Sequence, residues 1–554
     1  MAEYEKLTLA EVFRAREKGN IDGIQFSFVD EDPLRTRDVI AQAKALQKTL
    51  QKYGVRKGDR VALLGENSPQ WGVSYLAVGT MGAVCVPILP DFHKSEVQHI
   101  LKNSEARVLF ITSTLFHKLY DAEFPDLKSI FILDDKAVEL HGKEIVTYAE
   151  AIEMGSGLAH DVEAKIDEDD LLEILYTSGT TGHSKGVMLT HKNIISNALA
   201  AIKVIQVSSQ DSLLSILPMS HSYECTCGFL LPFLIGAKVY YIKGLPTPQT
   251  LMPAAEKIKP TMILSVPLIM EKAYKKRVLT QINAKAVTKA MHRFGPTRKL
   301  VHKVAGKKLY EAFGGNLKFM VFGGAATPPE VETFLTEGKF PYITGYGLSE
   351  SAPILTVSPV GKQKRGSAGV AVPGVALRID DADPETGIGE IVATGPNIMQ
   401  GYYKNAEATK STFTEDGWLI TGDRGYIDDE GYLFIKGRSK NLIVGPSGEN
   451  IYPEEIEFHL AQNNFVLEAL VFESEGRIIA RIHLDYGAID QEYGTASMDE
   501  GEASKLIQNI LEGIKKNVNA NVASYSRIHK IIEQPEEFVK TPTKKIKRYL
   551  YTTA

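Results

Sequence analysis

Residues 176–187 read Tyr-Thr-Ser-Gly-Thr-Thr-Gly-His-Ser-Lys-Gly-Val. Three glycines in twelve residues break any regular element and let the backbone approach a ligand closely. The hydroxyls of Thr177, Ser178, Thr180 and Thr181 and the ammonium of Lys185 surround them, which is the make-up of a phosphate-gripping loop. The apolar run Leu171-Leu172-Glu173-Ile174-Leu175-Tyr176 leads in and predicts a strand. A Walker A loop is excluded by spacing. It needs Gly, four residues, then Gly-Lys-Ser/Thr, and counted from Gly179 the second glycine would fall at Ser184.

A chain of 554 residues is too long for one core, so two or more domains are expected. The net charge of -5 predicts no nucleic-acid partner. Cys85, Cys225 and Cys227 are an odd and sparse set that suits a reducing cytoplasm. Two thiols cannot fill a zinc shell, so Cys225 and Cys227 read as small apolar side chains. The first residues lack the apolar core of a signal peptide, and no run reaches the length of a spanning helix. The short run Phe229 to Ala237, interrupted by Pro232, reads as buried structure.

Over residues 1–170 helix-like and strand-like segments alternate. Asp38–Tyr53 has helical spacing, Arg60–Leu64 reads as a strand, a helical stretch runs to Met81, and Ala83–Pro87 is a short strand. Glu96–Asn103 and Arg107–Ile111 repeat the unit. Such alternation argues for an α/β fold around largely parallel sheets. From about residue 387 the texture is turn-rich and β-like, and a boundary is expected near Arg438-Ser439-Lys440-Asn441. Beyond it, Leu467–Phe472 and Arg477–Asp485 predict paired strands. Residues 487–503 read as a Gly/Ala/Glu-rich linker, Lys505–Val518 as a helix, and Ile528–Ile532 as a strand.

Residues 272–308 carry twelve Lys/Arg and no Asp or Glu, with Ala, Val, Met and Leu interleaved. That pattern fits either a solvated helical face or an interfacial patch for anionic lipid at the inner face of a membrane.

Five further stretches follow the loop in order. They are Leu217-Pro218-Met219-Ser220-His221-Ser222-Tyr223-Glu224, Gly345-Tyr346-Gly347-Leu348-Ser349-Glu350, Thr421-Gly422-Asp423, Gly437-Arg438-Ser439-Lys440, and Pro542-Thr543-Lys544-Lys545-Ile546-Lys547-Arg548. With the loop, they make the chain resemble the adenylate-forming superfamily of acyl- and aryl-CoA ligases, adenylation domains and luciferases over nearly its whole length. The Thr-Pro-Thr tail and Ser265-Val266-Pro267-Leu268-Ile269-Met270-Glu271-Lys272 are similar to long-chain fatty acyl ligases.

The resemblance implies an α/β fold with a large N-terminal domain of helix-flanked β-sheets and a β-rich subdomain (1–436). A hinge (437–441) and a small mobile α+β C-terminal domain (442–554) would follow. It implies ATP, Mg2+ and CoA as cofactors and co-substrates. Thr177, Ser178, Gly179, Thr180, Thr181, Gly182 and Lys185 would hold the β- and γ-phosphates. Glu350, with Thr177, would hold magnesium, and Ser349 keeps the hydroxyl of the family's usual Thr. Gly323, Gly324, Ala325, Gly345, Tyr346 and Gly347 would line the adenine side, with Tyr346 stacked on the base. Asp423 would accept both ribose hydroxyls and Arg438 would reach the ribose.

His221 would border the acid, and Lys545 would bridge the carboxylate and the α-phosphate. Lys544 stands where the family often has Gly and competes for that assignment. Lys440 would be the hinge, and Gly448 would belong to the loop that faces the CoA thiol. The acid reads as a fatty acid, with medium-chain or aryl acids, an acyl-carrier-protein acceptor, luciferase-type oxygenation and a non-catalytic lipid-binding protein as alternatives. The sequence leaves an oligomer open.

Overall fold

The computed structural model describes residues 4–139, 143–159, 161–177, 184–244, 246–445, 449–541 and 545–552. The predicted alternation builds two large sheets. One has eight strands in the order Gly401–Tyr402, Lys185–Thr190, Leu171–Thr177, Val84–Ile88, Arg60–Leu64, Val108–Ile111, Ser129–Ile132, Glu144–Thr147. Its pairs from Leu171–Thr177 to Glu144–Thr147 are parallel, and the first two strands add antiparallel. The other has nine strands, in the order Val370–Ala371, Ile354–Val357, Tyr342–Gly347, Phe319–Phe322, Met262–Ser265, Ser212–Ser215, Lys238–Tyr241, Ile24–Phe28, Leu34–Arg35. Its centre is parallel, and only the strands at its two ends pair antiparallel.

Pro69–Thr80 shows why the sheets pack as they do. Ser68 caps this helix by accepting from the Trp71 amide, and Pro69 starts it. Eleven of its twelve residues are buried, so it is apolar on all sides and belongs inside the molecule. A Cβ at Gly79 would lie 2.5 Å from Leu172 and 2.8 Å from Leu9, so only glycine permits that approach. Trp71 stacks on Tyr75, and both meet Phe229 edge-on. Phe229 belongs to the Phe229–Ala237 run, whose core is buried as expected.

A four-stranded antiparallel sheet follows, in the order Ala376–Asp380, Gly389–Thr394, Leu419–Ile427, Leu433–Arg438. Val466–Ser474 and Arg477–Leu484 then form the expected hairpin, with Lys530–Glu533 added parallel. Helices Pro453–Ala461 and Glu500–Asn521 cover it through Ile456, Leu460 and Ile514.

The linker expected over 487–503 is corrected by the structure. Residues Tyr486–Tyr493 form a helix, Thr495–Ser497 a turn, and the long helix already starts at Glu500. Asp485 and Asp499 cap the two helices by accepting from the amides of Ala488 and Glu502. Ile489 anchors the first in the core. Capping carboxylates and one buried Ile outweigh a composition poor in apolar residues. The last strand also sits slightly later than expected.

Candidate active site

The phosphate-side residues sit on one hairpin edge. Thr177 ends one strand, Lys185 begins the next, and the two are cross-strand partners. Ser178, Gly179, Thr180, Thr181 and Gly182 lie outside the described residues. The Lys185 Nζ stands 5.2 Å from the ring centroid of Tyr402. Tyr402 is held there because Gly401–Tyr402 pairs with Val187 and Met188. Its hydroxyl donates to Oε1 of Glu350 at 2.8 Å, and the Met399 amide donates to the Glu350 carbonyl at 2.9 Å. Burial and the Glu350 charge push the Tyr402 phenol up, so it stays a donor.

Glu350 rides on the tight turn Ser349–Ser351 that follows the strand Tyr342–Gly347. Ser351 Oγ pins that turn, accepting from the Leu348 amide at 3.0 Å and donating to the Pro353 carbonyl at 2.6 Å. Gly347 is required by close approach, because a Cβ there would lie 1.8 Å from the Pro353 carbonyl oxygen. Gly345 lies in the same strand opposite Val357. Ser349 Oγ is 3.4 Å from Ser222 Oγ, which joins this turn to the loop that carries His221.

Asp423 and Arg438 face each other across neighbouring strands. Arg438 Nε lies 2.9 Å from Asp423 Oδ1, and the Tyr346 hydroxyl donates to Asp423 Oδ2 at 2.7 Å. The aromatic expected on the adenine side is thereby tied to the carboxylate expected on the ribose. Burial pushes the Asp423 carboxyl up, while Arg438, Tyr346 and Lys545 pull it back toward the ionised form. Gly323 and Gly324 follow the strand Phe319–Phe322, and the Gly323 amide donates to the Ser265 carbonyl at 3.2 Å. A Cβ at Gly323 would lie 3.1 Å from the Tyr223 ring, and Gly324 and Ala325 are exposed.

His221 lies on the loop that Ser222 joins to the Glu350 turn. Its Nδ1 accepts from the Tyr223 amide at 3.2 Å. Crowding by protein atoms and the nearby Lys545 charge push its pKa down to about 4, so the ring is neutral at pH 7. Lys545 enters from the C-terminal segment, where Thr541 Oγ1 accepts from its amide at 3.1 Å. Its side chain is exposed to solvent. Desolvation and Arg438 push the ammonium down, while Asp423 and Glu350 support it. Residues 221, 350, 423, 438 and 545 therefore share one electrostatic environment. Lys440 lies in the short turn Ser439–Asn441. Gly448 and Lys544 lie outside the described residues.

Several participants carry no local sequence signal. Tyr402, which links Lys185 to Glu350, sits in an unremarked Gly-Tyr-Tyr. Asn67 braces the His221 loop by donating to the Leu217 carbonyl at 2.6 Å and accepting from the Met219 amide at 2.8 Å. Asn67 also donates to Ser215 Oγ, which donates to the buried Glu224 at 2.6 Å. Burial pushes Glu224 up to about 8. Glu173 behaves likewise at about 7, accepting from Tyr75 at 2.7 Å and from Cys225 at 3.6 Å. The three cysteines are free and buried. Among the described residues, no group of three His, Cys, Asp or Glu gathers as a metal cage, and no helix is long and apolar enough to cross a membrane.

The AMP-binding enzyme family matches residues 26–403. The long-chain-fatty-acid–CoA ligase FadD15 of Mycobacterium bovis is 29% identical over 547 residues, covering 92% of this chain and 88% of that protein. The chloroplastic long-chain-fatty-acid–[acyl-carrier-protein] ligase AEE15 of Arabidopsis thaliana is 28% identical over 508 residues, covering 77% of this chain and 69% of that one. The solved structure of the anthranilate CoA ligase AuaEII with anthranoyl-AMP has the same fold. It matches with a TM-score of 0.80 at 21% identity, over 99% of this chain and 97% of that one.

Proposed function

Because the chain belongs to the AMP-binding enzyme family, we infer that it is an AMP-forming acyl-CoA ligase, and we propose a long-chain fatty acid as its acid. The observation that supports this most is the Asp423 carboxylate held between Arg438 and Tyr346 beside the turn that joins Ser349 to the His221 loop, with the Lys545 charge acting on both Asp423 and His221. The long-chain assignment rests on the Ser265–Lys272 and Thr-Pro-Thr resemblances and on relatives such as FadD15.

The chemistry explains the charges. A carboxylate is a poor acyl donor because oxide is a poor leaving group. Its attack on the α-phosphorus of ATP expels pyrophosphate and leaves acyl-AMP. Nucleophile and triphosphate are both anions, so the site must bring cations and oriented donors to them. Lys185 and Thr177 would hold the outer phosphates. Lys545 would sit between carboxylate and α-phosphate, where negative charge gathers as the new P–O bond forms. Asp423, whose ionised form Arg438 favours against the effect of burial, would accept the ribose hydroxyls. A neutral His221 would border the acid without adding repulsion or taking a proton, since the carboxylate is already ionised at pH 7.

Glu350 and Thr177 are hard oxygen donors of the kind that hold magnesium alongside substrate phosphates. Bound there, Mg2+ would offset phosphate charge.

In the second half-reaction the CoA thiol attacks the acyl carbon and AMP leaves. We propose that residues 442–554 turn about Lys440 between the two steps, withdrawing Lys545 and presenting the Gly448 loop to the thiol. ATP–pyrophosphate exchange across acids from acetate to oleate, with benzoate included, tests the substrate. Exchange greatest with long-chain acids is expected, and exchange confined to benzoate or acetate refutes the proposal. Free CoA and a short pantetheine peptide, each offered with acyl-AMP, separate a CoA ligase from a carrier-protein ligase.

A further inference from the structure

The proposed catalysis makes no use of residues 272–308, which concentrate twelve Lys/Arg without one Asp or Glu in a chain of net charge -5. The structure folds the later part of this segment into two packed helices, Ala286–Arg293 and Gly295–Ala312. Their inner side is fixed. Gly306 lies against Gly338, where a Cβ would sit 2.5 Å from the carbonyl oxygen. Arg298 grips Glu337 through two hydrogen bonds of 3.1 and 2.6 Å, and His302 and His292 extend that chain at 2.8 and 2.9 Å.

The outer side is largely without such partners among the described residues. Ala286–Arg293 buries none of its residues. Val287 and Phe294 are 70% and 68% exposed, and Leu300 and Val304 are each 55% exposed. On Gly295–Ala312 the exposed stripe reads Lys299-Leu300, Lys303-Val304, Lys307-Lys308, so cations flank the apolar side chains at helical spacing. Lys275, Arg298 and Lys307 have carboxylate partners. Among the described residues, Lys285, Lys289, Arg293, Lys299, Lys303 and Lys308 form no ion pair.

We propose that this outer face docks on an anionic lipid bilayer, with Val287, Phe294, Leu300 and Val304 entering the acyl boundary and the flanking lysines meeting headgroup phosphates. Charge complementarity chooses the partner. Clustered cations repel one another, and an anionic plane relieves that repulsion. A nucleic acid would satisfy the lysines but leave four aliphatic and aromatic side chains in water, whereas a bilayer takes both. The inner side of the longer helix packs through Val301 and Ala305 on the apolar core that runs toward the site. Met270, Tyr274 and Phe334, beneath the helices, share one apolar cluster with Ile216 and Phe322, which directly precede the His221 loop and Gly323. The proposal rests on this surface, whichever acid the cleft activates.

Co-sedimentation of the full chain with phosphatidylcholine vesicles, with and without one-third phosphatidylglycerol, tests it without any activity readout. Binding to the anionic vesicles should exceed binding to the neutral ones by at least about tenfold at low salt, and high salt should weaken it. The triple variant Lys299→Glu/Lys303→Glu/Lys308→Glu should lose about 100-fold, from roughly fivefold per cation near the surface. Phe294→Ser/Leu300→Ser/Val304→Ser should still bind but desorb at lower salt. Both variants should retain ATP–pyrophosphate exchange with a water-soluble acid, which shows that they fold. Equal binding to both vesicles, wild-type binding by the charge variant, or capture by heparin without vesicle binding each overturns the proposal.

Discussion

Replacing Tyr346 by Phe removes one oxygen and keeps the ring. That oxygen donates to Asp423 Oδ2 at 2.7 Å, while Arg438 holds Oδ1 at 2.9 Å. Asp423 is only 4% exposed. Burial raises its pKa, and Tyr346 is one of the groups that lower it again. Without the hydroxyl the pKa rises further. The ionised form that would accept two ribose hydroxyls is then lost at a higher pH as pH falls. A hydrogen bond to a charged group contributes about 1.5–3 kcal/mol. The acid-limb penalty on ATP should therefore approach about 10- to 150-fold.

The assay is ATP–pyrophosphate exchange from acid to mildly alkaline pH, with KM for ATP and kcat measured at each point. Tyr346→Phe should raise KM most at the acid end, converge toward wild type as pH rises, and leave kcat nearly unchanged, because the bond is made in ground and transition states alike. A KM ratio independent of pH, or a loss confined to kcat, would refute the reasoning.

Gly347→Ala puts a methyl 1.8 Å from the Pro353 carbonyl, so the turn carrying Glu350 must move. It should destabilise the protein by about 1–3 kcal/mol in denaturant titration and cut exchange more than about tenfold; wild-type exchange would contradict the close-approach argument. Glu224→Gln tests the buried carboxyl, whose folded pKa of about 8 lies above its unfolded value. Its contribution to stability is full below the unfolded pKa and is lost as pH rises through 8. The variant should therefore gain on wild type with rising pH, and a constant difference between them would exclude that titration. Lys440→Pro, in the turn Ser439–Asn441, should slow thioester formation more than adenylation in separate half-reaction assays; equal losses would count against a hinge there.

Much of this architecture is legible in the sequence because its signals are local. The strand before the phosphate loop, the helical stretch up to Met81, and the paired strands of Leu467–Phe472 and Arg477–Asp485 all announce themselves by their period. Neighbours distant in sequence do not. Nothing around Tyr402 says that it will lie under Lys185 and donate to Glu350, because that contact comes from a two-residue strand pairing far along the chain. Glu173 reads as one polar interruption in an apolar run. Its raised pKa follows from burial, against the pull of hydrogen bonds from Tyr75 and Cys225, and only the packing of sheet against helix creates that setting. The same holds for Asn67, which braces the His221 loop from about 150 residues upstream. Residues 487–503 misled in the opposite sense, since capping aspartates set order where composition suggested a linker.

The proposed adenylation chemistry depends on Lys545, whose ammonium Asp423 and Glu350 support against Arg438 and desolvation. The decisive measurement is the pair of half-reactions in Lys545→Ala. ATP–pyrophosphate exchange with the acid should fall by at least about 100-fold, the loss expected when one charge-stabilising donor leaves a transition state. Transfer of the acyl group from supplied acyl-AMP to CoA should stay close to wild type. Retained exchange, or equal loss in both half-reactions, would contradict the role assigned to this lysine.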